Sequence, residues 1–140
     1  MPKTYVLAVC GYEIDVASSP FMKMYLKMVC EWIHARYRCG DSILLYLLGG
    51  YTRAKSNPDV SEANAMYEWL NQIDFQTHAT ESCVTDVHVE ESSTTTIENV
   101  RYFAKGLDAH ALYAEVDAVF LACEYSRRWK IRYFGYKTFG

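Results

Sequence analysis

The sequence predicts an α/β fold, a three-layer α/β/α sandwich around a mostly parallel sheet. Short apolar runs without alternation, Tyr-Val-Leu-Ala-Val-Cys at 5–10 and Ile-Leu-Leu-Tyr-Leu-Leu at 43–48, read as strands buried on both faces. Amphipathic stretches separate such runs, so that strand and helix alternate four times along the chain. Right-handed crossovers then bring every strand-to-helix turn to one sheet edge, where α/β proteins place ligand sites.

The first strand ends at Gly11. Ser18, Ser19 and Pro20 read as a hydroxyl cap with proline in the first turn of a helix. In that helix Phe21, Tyr25, Met28, Val29, Trp32 and Ile33 recur at helical spacing, and Cys39-Gly40 ends it. After the second strand come Gly49 and Gly50, then a polar loop over 54–60 carrying Pro58. Ser61 caps a helix with Ala63, Met66, Tyr67 and Leu70 on one face. Residues 74–86 are mixed. Residues 87–90 form a short strand, and Thr96 is the expected cap of a helix over 97–112 with Asn99 at its third position. A last strand spans 117–123, and a basic helix spans 124–134.

With 140 residues, no internal repeat and no linker, residues 1–140 read as a single domain. A net charge of −3 gives no footprint for nucleic acid, and none is expected as a partner. The apolar runs fall short of the ~20 residues of a membrane helix, so no membrane span is expected. Five cysteines without CxxC spacing argue against a disulfide framework and a metal site. With no visible signal peptide, the reading is a reduced, cytoplasmic domain.

Four turns on the ligand edge carry candidate groups. Gly49 and Gly50 let backbone approach a ligand closely, although a plain tight turn uses the same pair. Ser61 and Glu62 open a helix, where a cap followed by an acid suits the macrodipole as well as a ligand. The stretch Glu-Glu-Ser-Ser-Thr-Thr-Thr-Ile-Glu-Asn at 90–99 holds more polar groups than one cap needs. Glu90, Ser93, Glu98 and Asn99 remain for recognition, with a solvated acidic loop as the alternative. Arg127, Arg128, Lys130 and Arg132 form a basic cluster able to hold an anion. Cys10 and Cys123 end strands on the same edge and read as small buried residues rather than nucleophiles.

The spacing Glu90-x-x-Ser93-x-x-Thr96-x-Glu98-Asn99 resembles the E-x-x-S-x-x-T-x-E-N signature of the YdcF-like family, which includes SanA and ElyC proteins. Gly49-Gly50 with Thr52 is similar to that family's SGG turn, Leu48 standing in place of the serine. Ser61-Glu62-Ala63 is similar to its SEA helix start. The resemblance implies a Rossmann-like domain with its site on the C-terminal strand edge. It implies a small anionic or nucleotide-like ligand, with S-adenosylmethionine the leading cofactor candidate. Gly49, Gly50, Thr52, Ser61, Glu62, Glu90, Ser93, Thr96, Glu98 and Asn99 would then line the site, with Arg127 or Arg128 for the anionic part. The chain departs from the family after the last strand. The pattern T-S-x-x-H-x-x-R-A is replaced by Ala-Cys-Glu-Tyr-Ser-Arg-Arg-Trp at 122–129, without the histidine. A final strand of the family pattern would lie beyond Gly140. Two other functions stay open: a hydrolase or transferase acting on a phosphorylated substrate with Glu90 or Glu98 as base, and a non-catalytic interaction domain with a vestigial site. Neither catalytic residues nor an oligomeric state follow from the sequence.

Overall fold

A computed structural model describes residues 3–12, 19–50, 60–71, 84, 86–92, 95–109, 116–124 and 128–139. The elements run β1 (Thr4–Cys10), α1 (Pro20–Arg38), β2 (Ser42–Leu48), α2 (Glu62–Trp69), β3 (Asp86–Glu90), α3 (Thr96–Ala109), β4 (Ala118–Ala122) and α4 (Arg128–Phe139). The sheet is wholly parallel in the order β3-β2-β1-β4. This is the predicted α/β fold, a Rossmann-like sheet with helical layers.

The apolar runs explain the order. The unbroken segments, β1 and β2, take the centre, with Val6 to Cys10 and Ile43 to Leu48 all buried. The shorter β3 and β4 take the edges, where Val89 and Phe120 stay partly exposed. Each leucine fully buried in this way contributes about 2 kcal/mol. Side-chain alternation assigns the layers. Tyr5 meets Trp32 of α1, whereas Tyr46 meets Phe103 of α3. Tyr46 is in register with Ala8, three residues from Tyr5 and so on the opposite face. α1 and α3 therefore cover opposite faces, and α4 packs beside α3.

The helix ends follow the sequence closely in two places. Ser19 Oγ accepts from the Met22 N–H at 3.2 Å, with Pro20 as the first helical residue. At the other end Cys39 is the cap and Gly40 takes φ +86°. The buried stripe of α1 is rotated from the expected one, however. Met22, Leu26, Val29, Cys30 and Ile33 are buried, while Phe21 and Met28 are exposed. In a helix apolar on more than one face, periodicity alone does not pick which stripe the sheet takes. The last two elements are also shifted: β4 spans Ala118–Ala122 and α4 begins at Arg128 rather than near 124. No described helix is long and apolar enough to cross a membrane.

Candidate functional site

Each of the four strand-to-helix turns is described in part, at the end of its strand and the start of its helix. The end of β2 and the start of α2 pack tightly against each other. Gly49 takes φ +150°, and a Cβ there would lie 2.7 Å from Glu62 Cβ. Gly11, at the end of β1, meets the same Glu62 Cβ at 2.9 Å. Glycine is needed at both positions for the close approach of Glu62, which is buried at 6% exposure. The Gly49 and Gly50 carbonyls accept from Ala63 and Glu62 N–H groups, each at 3.0 Å. Two N–H groups that the start of α2 would leave unpaired are thereby satisfied. The Gly49 N–H donates to the Glu90 carbonyl at 3.0 Å, so it is engaged within the sheet. The glycine pair thus seats α2 against the strand ends, and Glu62, expected to be exposed or to face a ligand, is its buried anchor.

Ser61 caps α2 as expected, accepting from the Asn64 N–H at 3.0 Å. Its hydroxyl has a second role. It donates to Glu91 Oε1 at 2.8 Å and so ties the β2–α2 turn to the β3–α3 turn. Glu91 did not stand out in the sequence, because the strand alternation that turns Glu90 and Glu91 opposite ways is short.

Beyond β3, Glu90 folds back so that Oε1 accepts from the Ser92 N–H at 2.7 Å. Its Oε2 is buried without a hydrogen-bond partner among the described residues. The cap of α3 is Thr95, not Thr96: Thr95 Oγ1 accepts from the Glu98 N–H at 3.2 Å and the Thr95 carbonyl from the Asn99 N–H at 3.0 Å. In a run of three threonines the composition cannot choose among adjacent caps. The choice of Thr95 makes Glu98 the third helical residue, the spacing of a capping box. Asn99, one position later, is buried at 6% exposure. Glu98 Oε2 accepts from the Tyr102 hydroxyl at 3.3 Å. The negative charge of Glu98 pushes the Tyr102 phenol up, with burial and Glu90 adding to it. Ser61, Glu62, Glu90, Glu98 and Asn99 are therefore gathered on adjacent turns, with Glu91 added. Thr52, Ser93, Arg127 and the side chain of Thr96 lie outside the described residues.

Arg128 opens α4 beyond β4, at the far end of the sheet order. Three strand spacings separate β3 from β4, about 14 Å. The acidic and basic turns share one edge but are not adjacent. Between them lies the position where the strand order reverses, the usual ligand crevice of such sheets. Tyrosines hold that position here. The Tyr25 hydroxyl reaches the Cys10 carbonyl at 2.9 Å and the Ala122 carbonyl at 3.0 Å, and Tyr12 Oη accepts from the Glu124 N–H at 2.8 Å. Burial pushes the Tyr25 phenol well above its ordinary range, so it stays a donor. Burial also raises the Cys123 thiol, with Glu124 adding and Arg128 opposing, which disfavours a thiolate. Neither tyrosine was singled out from the sequence, since a phenol with both ends in use looks like any core-boundary aromatic until the strands are paired.

Among the described residues no group of three or more histidine, cysteine, aspartate or glutamate side chains is arranged to hold a metal ion. Comparison with protein-family models, curated proteins and solved structures returns no match to this chain.

Proposed function

We propose that the notch between the β2–α2 and β3–α3 turns binds a small ligand, as the resemblance to YdcF-like domains implies. One observation supports this reading above the others. Glu90 has one carboxylate oxygen committed to Ser92, and the other is buried without a partner among the described residues. A buried, unpaired carboxylate oxygen costs about 1–3 kcal/mol or more, which a donor from a ligand would recover. Glu98, tied to Tyr102, and the buried Asn99 lie in the first turn of α3, the helix that follows β3. The chemistry that suits these groups is a hydroxyl-bearing or positively charged moiety, such as a ribose or an amine.

S-adenosylmethionine carries both, along with a carboxylate, so the acceptor set fits the cationic and ribose parts of that cofactor. When bound, it would supply a transferable methyl group or serve as a recognised ligand. Its carboxylate shares a carbon with its ammonium, so with the cationic part at Glu90 it stays short of Arg128, about 14 Å along the edge by strand spacing. A nucleotide-like ligand could equally place its sugar hydroxyls at Glu90.

The test is a thermal-shift panel of S-adenosylmethionine, nucleotides and sugar phosphates against the wild type and Glu90→Gln. A true ligand at a hundredfold excess over its Kd stabilises the fold by about 2.7 kcal/mol. The shift is expected to fall in Glu90→Gln, which keeps the shape and removes the charge. If no member of the panel raises the melting temperature, the proposal fails.

A further inference from the structure

We infer that the outer face of α4 is a docking surface for an acidic segment of a partner protein. Three large aromatic side chains stand out from this helix, Trp129, Tyr133 and Tyr136, at 62%, 57% and 73% exposure. Their spacing of four and three residues puts them along one stripe. Ile131 is buried and fixes the opposite side of the helix against the fold. Cations flank the stripe. The Arg128 and Arg132 guanidiniums lie 5.2 and 5.9 Å from the centre of the Trp129 ring, and Lys137 Nζ lies 5.7 Å from that of Tyr133. The exposed Arg132 guanidinium, stacked on the Trp129 ring, can turn its outer N–H groups to a carboxylate.

Charge selects the partner. Arg128–Phe139 carries four basic residues and no acid, in a chain whose net charge is −3; the remaining residues therefore carry −7. A broad anionic surface, such as a lipid bilayer or a long nucleic acid, would meet that negative remainder as well as the helix. A short acidic peptide can meet the helix alone. The side chains agree with this choice. Tryptophan, tyrosine and arginine are the residues that dominate protein–protein contacts. The described exposed stripe contains no aliphatic side chain, unlike an interfacial membrane helix.

The test uses the full chain and a fluorescein-labelled helical peptide of Glu, Asp and Leu, with its Gln/Asn counterpart as control. Anisotropy is expected to show binding of the acidic peptide only, weakening as salt is raised from 50 to 500 mM. Arg132→Glu should weaken binding by about tenfold or more, and Trp129→Ala by about thirtyfold. Both positions are exposed, and unchanged melting curves would establish that the variants fold. Equal binding of the neutral peptide, or binding indifferent to both substitutions, overturns the inference. So does a preference for phosphatidylserine vesicles or a dodecamer of deoxythymidine over the acidic peptide. These outcomes are independent of the Glu90 notch, whose ligands are read on a different variant.

Discussion

At the β2–β3 end of the strand edge, polar side chains are held by burial; on α4, beyond β4, the side chains of Trp129, Arg132, Tyr133, Tyr136 and Lys137 stand out in solvent. Glu62 is pressed against two glycines, Ser61 is fully buried, and Glu90 has an enclosed oxygen. On α4 the rings of Trp129, Tyr133 and Tyr136 are more than half exposed, and cations of the same helix stack on two of them. The first arrangement is expensive to disturb, because close-packed side chains relax only partly. The second is tolerant, because solvent screens the charges and fills any gap. The same fold therefore sets a closely packed cluster of polar groups at one end of the edge against an exposed aromatic and basic helix at the other.

The sharpest way to break this contrast is Gly49→Ala. The new Cβ would meet Glu62 Cβ at 2.7 Å and would have to adopt φ +150°. Strain and overpacking together are expected to cost about 3 kcal/mol, measured by urea denaturation. That is a large part of a typical domain's 5–15 kcal/mol, roughly speaking. Trp129→Ala, at the other end, should change stability by no more than about 0.5 kcal/mol. Comparable losses at the two positions would show that α4 is held by packing as tight as that of α2.

A second, smaller effect should come from Ser61→Ala. It removes the acceptor for the Asn64 N–H and the donor to Glu91. Loss of the cap and of the link between turns is expected to destabilise by about 1.5–2 kcal/mol. A double-mutant cycle with Glu91→Ala isolates the link, which should appear as a coupling of about 0.5–1 kcal/mol. A coupling of zero would mean that the two turns are independent, and the notch would lose its tie.

The contrast between the two ends also explains what could be read from the sequence. The central strands were legible because continuous apolar runs such as 43–48 have few other uses. The caps at Ser19 and Ser61 were legible because Ser19 directly precedes a proline and Ser61 is a lone serine before an amphipathic run. The stripe of α1 was not, since Phe21 and Met28 are as apolar as Met22 and Leu26, and only the sheet decides between them. Burial of Glu62 was hidden for a similar reason. An acid in the first turn of a helix looks solvent-facing until Gly11 and Gly49 are found against its Cβ. The bridging role of Tyr25 depends on the ends of β1 and β4 lying side by side, 112 residues apart between Cys10 and Ala122, which no local pattern encodes.

The run Thr94-Thr95-Thr96 gives the smallest and most discriminating effect. The hydrogen bond from the Glu98 N–H ends on Thr95 Oγ1, and Thr96 is the first helical residue. Thr95→Ala should therefore destabilise by about 1 kcal/mol, and Thr96→Ala by less than about 0.5 kcal/mol. Thermal melts of the two variants, taken side by side, are enough to separate them. The outcome bears on the notch as well as on the helix. With Thr95 as cap, Glu98 is the third helical residue and Asn99 the fourth, which turns Asn99 into the buried side of α3 and leaves Glu98 beside Tyr102. If Thr96→Ala were the more costly change, the helix would begin one residue later. With Thr96 as cap, Glu98 would be the second helical residue and Asn99 the third, and the acid would lose its capping-box position.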